Sequence, residues 1–147
     1  MNHKNVKVAL IQESPIFLNL AETLSKAEKL ALEAKENEAK IIVFPETWLP
    51  GYPIWLDDAP KSGFWDYPPA KRLYQYLSEN SVEIASPDFE RLKEIATKSE
   101  AYLVMGIHER EGGTLYNTTV YFAPDGSYKI HRKLVPTYTE RLVWGMG

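Results

Sequence analysis

No cysteine occurs anywhere in the 147 residues. That absence excludes disulfides, thiolate metal sites and a cysteine nucleophile within this chain. Long apolar runs are missing as well: nothing approaches the roughly 20 residues that a membrane-spanning helix needs. The opening stretch MNHKNVKVALIQ also has no apolar core ahead of a small-residue cleavage site. A cytoplasmic protein without a membrane partner is expected. An excess of one charge is lacking too, since 17 basic and 20 acidic side chains leave a net charge of −3. The two signs are interleaved, as in AKENEAK and RLKEIATKSE. Without a continuous cationic stripe, nucleic acid is not an expected partner. The three histidines, His3, His108 and His131, show neither i, i+4 pairing nor acidic companions at ligand spacing, so no metal is expected. There is no Walker loop, no G-x-G-x-x-G after a strand and no G-x-S-x-G elbow, and no cofactor is expected either.

What is present is a globular composition, 44% apolar and 25% charged, on a length suited to one domain over residues 1–147. VKVALIQ (Val6–Gln12) reads as a buried first strand. Asn19 and Glu22 have the spacing of a capping box, and the helix they open should run to about Asn37 with Leu20, Leu24, Ala27, Leu30, Ala31 and Ala34 on one stripe. IIVF (Ile41–Phe44) reads as a central strand, which Pro45 ends. Strand, helix, strand predicts a parallel pair. From Thr47 to about Pro69 the sequence predicts one long ordered loop rich in aromatics and proline. Ser86 with Pro87 starts a further helix whose buried face is Phe89, Leu92, Ile95 and Ala96. Three strands follow, ending near Glu109, Ala123 and Val135, with REGG and PDG as hairpin turns. The order predicts a mixed-sheet α/β fold.

Two stretches could carry chemistry. FPETWLPGYP (Phe44–Pro53) places Glu46 just beyond a strand's carboxyl end, where open parallel sheets commonly bind ligands. Read locally, Glu46 is either a general base on a stiff mount or a surface carboxylate capping a turn. HRKLVPTYTERLVWGMG (His131–Gly147) offers Lys133, which either points into a site or is solvated. Glu140, seven residues on, either keeps Lys133 charged or joins Arg141 in an ordinary surface ion pair.

Taken together, VFPETWLPGYP and HRKLVPTYTERLVWGMG resemble the nitrilase branch of the carbon–nitrogen hydrolase superfamily. ALIQESP and GTLYNTTVYFAPDG sit where that family has its first strand and its hairpin. The glutamate and lysine are 87 residues apart and in the family's order, which makes the resemblance specific. It implies a four-layer αββα sandwich and a glutamate, lysine and cysteine triad, with Glu46 as general base, Lys133 as catalytic lysine and Glu140 as a supporting second glutamate. Trp48, Tyr52, Thr137 and Tyr138 would contact substrate. The family's cysteine has no counterpart here, which implies an N-terminal portion, either a truncation or one piece of a split protein. Nitrile hydrolysis is the activity implied, with an amidase as the alternative; a non-catalytic half assembling with a cysteine-bearing partner is the reading of a different class. The family also implies a homo-oligomer, a dimer or a spiral, acting on a small nitrile. The isolated chain is expected to be inactive and to expose an apolar sheet face.

Overall fold

The computed structural model describes residues 5–147, so His3 lies outside the described residues. β1 (Val8–Leu10) and β2 (Ile41–Val43) flank α1 (Leu20–Glu36) in the chain. Between β2 and the next strand come α2 (Trp55–Asp58), α3 (Pro68–Glu79) and α4 (Pro87–Ser99). β3 (Tyr102–Glu111) lies parallel to β2, and β4 (Thr114–Phe122) and β5 (Tyr128–Arg132) fold back antiparallel in turn. One mixed sheet results, as the sequence predicts, and its strand order is β1-β2-β3-β4-β5.

Local chemistry explains the main elements. Asn19 Oδ1 accepts the Glu22 N–H at 3.1 Å and so satisfies one of the unpaired donors at the start of α1. Ser86 Oγ accepts the Phe89 N–H at 3.2 Å, Pro87 occupies the first turn of α4 where no donor is needed, and Glu100 ends that helix at φ 53°. α1 and α4 lie side by side on one face of the sheet. Their Leu24, Ala27, Phe89, Leu92 and Ile95 pack against Ile42, Leu103, Met105, Val120 and Phe122. Each of the larger side chains contributes about 1.5–3 kcal/mol by leaving water.

Because successive residues of a strand face opposite ways, the register that buries Ile42, Leu103 and Phe122 turns their neighbours outward. Val8 pairs through Ile41 with Tyr102, and Leu10 pairs through Val43 and Val104 with Tyr121. Those residues line a sheet face that no helix covers, and Leu10 is 71% exposed. The site described below sits at one end of this open face.

Three expectations need correction. The segment 47–69 is not one irregular loop: it contains α2, and α3 begins inside it with Pro68 and Pro69 in its first turn. α3 is driven by burial of Leu77, with Leu73 and Tyr74 packed against the Trp55, Leu56 and Trp144 cluster. Its end is tied to α1 where Asn80 Oδ1 accepts the Leu20 N–H at 3.1 Å. β1 is shorter than expected and, with Val8 and Leu10 exposed, is not buried. β5 ends at Arg132 rather than near Val135, because Lys133 N–H to Asn117 O (2.8 Å) is its last rung to β4 and the next carbonyl along β4's edge, Leu115 O, accepts the Gly145 N–H (2.9 Å) instead.

Candidate active site

Glu46 is mounted by a crossing of backbones. After β2 the chain passes directly over Gly106 of β3, so closely that a Cβ on Gly106 would stand 2.5 Å from Thr47 N and 2.8 Å from the Glu46 carbonyl carbon, and would meet Pro45 O. Only glycine permits that approach. The loop is held there by Leu49 N–H to Gly106 O (3.1 Å) and His108 N–H to Leu49 O (2.8 Å). Thr47 takes φ 48°, a left-handed conformation costly for a β-branched residue, and its buried Oγ1 has no partner among the described residues.

Around Glu46 the structure gathers charged groups from distant parts of the chain. Lys133 Nζ lies 3.1 Å from Glu46 Oε1 and 3.0 and 2.9 Å from the two oxygens of Glu140. Asn117 Nδ2 donates to Glu46 Oε1 at 2.5 Å. Glu140, only 7% exposed, also accepts the Thr137 N–H at 2.5 Å in a capping box that opens the 3₁₀ turn Tyr138–Leu142. A cleft of about 370 Å³ is lined by Glu46, Val104, Gly106, Asn117, Thr119 and Lys133, among others. A larger hollow of about 540 Å³ lies beside Tyr102, Tyr121 and Tyr128, and Lys129 is its one charged lining residue.

The charges reinforce one another. Partial burial alone would raise the Glu46 carboxyl, but the hydrogen bonds from Asn117 and Lys133, with the lysine's charge, outweigh it and hold the group below the ordinary carboxylate value. Burial works against the Lys133 ammonium in the same way, and bonds to Glu140 and Glu46 overcome it, leaving the ammonium harder to deprotonate than a free lysine. At neutral pH the cluster is therefore an ionised carboxylate beside a fixed cation. Such a carboxylate can accept a proton, and the ammonium can stabilise developing negative charge.

The residues singled out in sequence fall into two groups. Glu46, Lys133 and Glu140 form one cluster, and Thr137 supports it through its backbone N–H. Tyr52 lies close by, packed edge-on against Trp144 with ring centroids 5.9 Å apart. Its hydroxyl is harder to ionise than usual because of burial and then the charges of Glu140 and Asp57. Trp48 does not line the cleft: it is buried in the core against Phe44, with its Nε1–H on Glu13 O at 2.7 Å. Tyr138, 85% exposed, makes no hydrogen bond to the charged cluster among the described residues. Two residues were not assigned to the site from sequence. Asn117 sits in mid-strand, where asparagine is disfavoured, and that oddity was the available signal. His108 is fully buried; its Nδ1 accepts the Trp144 Nε1–H (3.0 Å), which leaves Nε2–H to donate to Gly51 O (3.1 Å). Among the described residues no group of three or more His, Cys, Asp or Glu could hold a metal ion, and no helix is long and apolar enough to cross a membrane.

A model of the carbon-nitrogen hydrolase family matches residues 7–147, and the chain belongs to that family. Within the family the match is to the N-terminal half of the nitrilase branch. The chain is 40% identical over 149 residues to a nitrilase of Bacillus sp. (strain OxB-1), covering 99% of this chain and 41% of that protein. It is 39% identical over 147 residues to the bifunctional nitrilase/nitrile hydratase NIT4A of Lupinus angustifolius, covering 99% of this chain and 42% of that protein. The chain thus spans less than half the length of these curated relatives. Among solved structures, a CN-hydrolase superfamily protein of Xanthomonas campestris with an arsenic adduct in its active site superposes with TM-score 0.72 at 17% identity, over 99% of this chain and 47% of that one. An amidase of Nesterenkonia sp. superposes with TM-score 0.69 at 17% identity, over 100% of this chain and 50% of that one. The fold is the N-terminal part of a nitrilase-like αββα sandwich.

Proposed function

We propose that the chain supplies the base, the cation and the supporting carboxylate of a nitrilase, and that a cysteine outside these 147 residues supplies the nucleophile. The observation that carries this reading is the cluster itself: Lys133 Nζ is held between Glu46 and Glu140 at 2.9–3.1 Å, at the end of the uncovered sheet face. Two carboxylates around one ammonium leave the cluster net negative, which suits a neutral nitrile better than an anion.

In this mechanism the thiol proton passes to Glu46 as sulfur attacks the nitrile carbon, because the thiolate and not the thiol is the nucleophile. Proton return to nitrogen gives a thioimidate. Water then adds, losing its proton to Glu46, and ammonia leaves to give a thioester. A second water releases the carboxylic acid and restores the thiol. The net change is nitrile plus two waters to acid plus ammonia. Lys133 stabilises the charge that builds on nitrogen and then on oxygen, and needs no reorganisation because it is already fixed.

The test follows the reading frame through about 150 further residues, an ordinary domain length, and assays ammonia release from nitriles and amides. Nitrile turnover is expected, and Glu46→Gln or Lys133→Ala should lower it at least about 100-fold. Turnover of amides alone would replace the nitrilase reading with an amidase one. No turnover from a soluble product would leave the chain as an assembly partner only.

A further inference from the structure

The two oxygens of Glu46 are treated unequally. Oε1 accepts from Asn117 Nδ2 at 2.5 Å and from Lys133 Nζ at 3.1 Å, whereas Oε2 accepts no hydrogen bond among the described residues. Lys133 is a poor candidate for setting this asymmetry. Its ammonium carries three equivalent hydrogens that already face three carboxylate oxygens, at 2.9, 3.0 and 3.1 Å. Asn117 is better suited, being 4% exposed in mid-strand with a planar amide. Its nitrogen must be the atom facing Glu46, since an ionised carboxylate only accepts. Its own carbonyl takes the Lys133 N–H at 2.8 Å, so one residue of β4 anchors the lysine's backbone and the glutamate's side chain together.

We propose that Asn117 is a positioning residue that docks Glu46 through Oε1 and thereby leaves Oε2 as the oxygen that exchanges protons in the cleft. The proposal rests on the reading of Glu46 as the general base. The Asn117 bond also helps to hold that carboxyl ionised against the opposing effect of burial.

The test is a pH titration of the labelled 147-residue chain by NMR, following the Glu46 carboxyl carbon and the Asn117 side-chain amide. In the wild type the amide should titrate with the midpoint of Glu46, and this response should vanish in Glu46→Gln. In Asn117→Val the Glu46 midpoint should rise by about one pH unit, a tenfold change in its ionisation constant. Asn117→Asp, which brings a like charge instead of a donor, should raise it further. An Asn117 amide blind to Glu46, or an unmoved Glu46 midpoint in folded Asn117→Val, would overturn the proposal. If Asn117→Val does not fold, the wild-type amide response decides alone. Absence of nitrile turnover from the extended protein, with this coupling intact, would overturn the nitrilase reading and not the docking; loss of the coupling with that turnover intact would do the reverse.

Discussion

His108 shows how far a single side chain can be taken from its behaviour in water. Buried, and bonded at both ring nitrogens, it resists protonation until about pH 3, with burial the main cause and the Gly51 bond working the other way. A charged ring would put an N–H against the Trp144 N–H. The folded value lies below the ordinary 6.5, so the unfolded chain takes up the proton first. Stability from this residue is therefore complete above about pH 6.5 and falls on acidification by about 1.4 kcal/mol per pH unit. Urea unfolding should show a loss of about 2 kcal/mol between pH 6.5 and 5. His108→Gln, which can accept from Trp144 and donate to Gly51, should flatten that slope; an equally steep slope in the variant would place the acid sensitivity elsewhere. Glu46 adds its own loss at lower pH, as its depressed carboxyl is protonated.

At the scale of elements, the crossing of the Glu46 loop over β3 is the critical joint. Gly106→Ala forces a methyl into the Pro45–Thr47 backbone, which cannot rotate aside as a side chain would. Overpacking of this kind should cost about 1–3 kcal/mol in urea unfolding. It should also displace Glu46, weakening its coupling to Lys133 in a pH titration. A stability within about 0.5 kcal/mol of wild type would show that the loop is not wedged against the strand. This joint was not legible in the sequence, although its surroundings were. α1 and α4 could be read because their caps and apolar stripes are local signals, and both hairpins because Gly112 and Gly126 supply the positive φ that tight turns need. α3 was missed since its buried positions are few and its partners, Trp55 and Trp144, come from elsewhere in the chain. Glu46, Lys133 and Glu140 could be picked out by motif. Asn117 acquires its place only from strand register, and Trp48 looked like a pocket wall until the core claimed its ring.

For the whole molecule, the helices cover one side of the sheet and leave the other to solvent. Two substitutions test that asymmetry. Leu10→Lys, on the open face, should change unfolding free energy by no more than about 0.5 kcal/mol and reduce light scattering. Leu103→Ala, on the helix side, should cost about 2–5 kcal/mol. A large loss from Leu10→Lys would mean that this face is already covered, for instance by a second copy.

The same two-sidedness gives meaning to a pair of adjacent cations. Arg132 reaches Glu109 at 2.5 Å and Glu111 at 3.0 Å with its guanidinium 3.9 Å over the Tyr116 ring, while Lys133 beside it turns to the other face and meets Glu46 and Glu140. Sliding the last strand by one residue would reverse both side chains at once. Each cation would then leave its own carboxylates and face a foreign set, with the bidentate fork and the single ammonium exchanged. The two neighbours therefore act as a parity check on strand pairing, and the alignment that satisfies both is the one that delivers the lysine to the cleft.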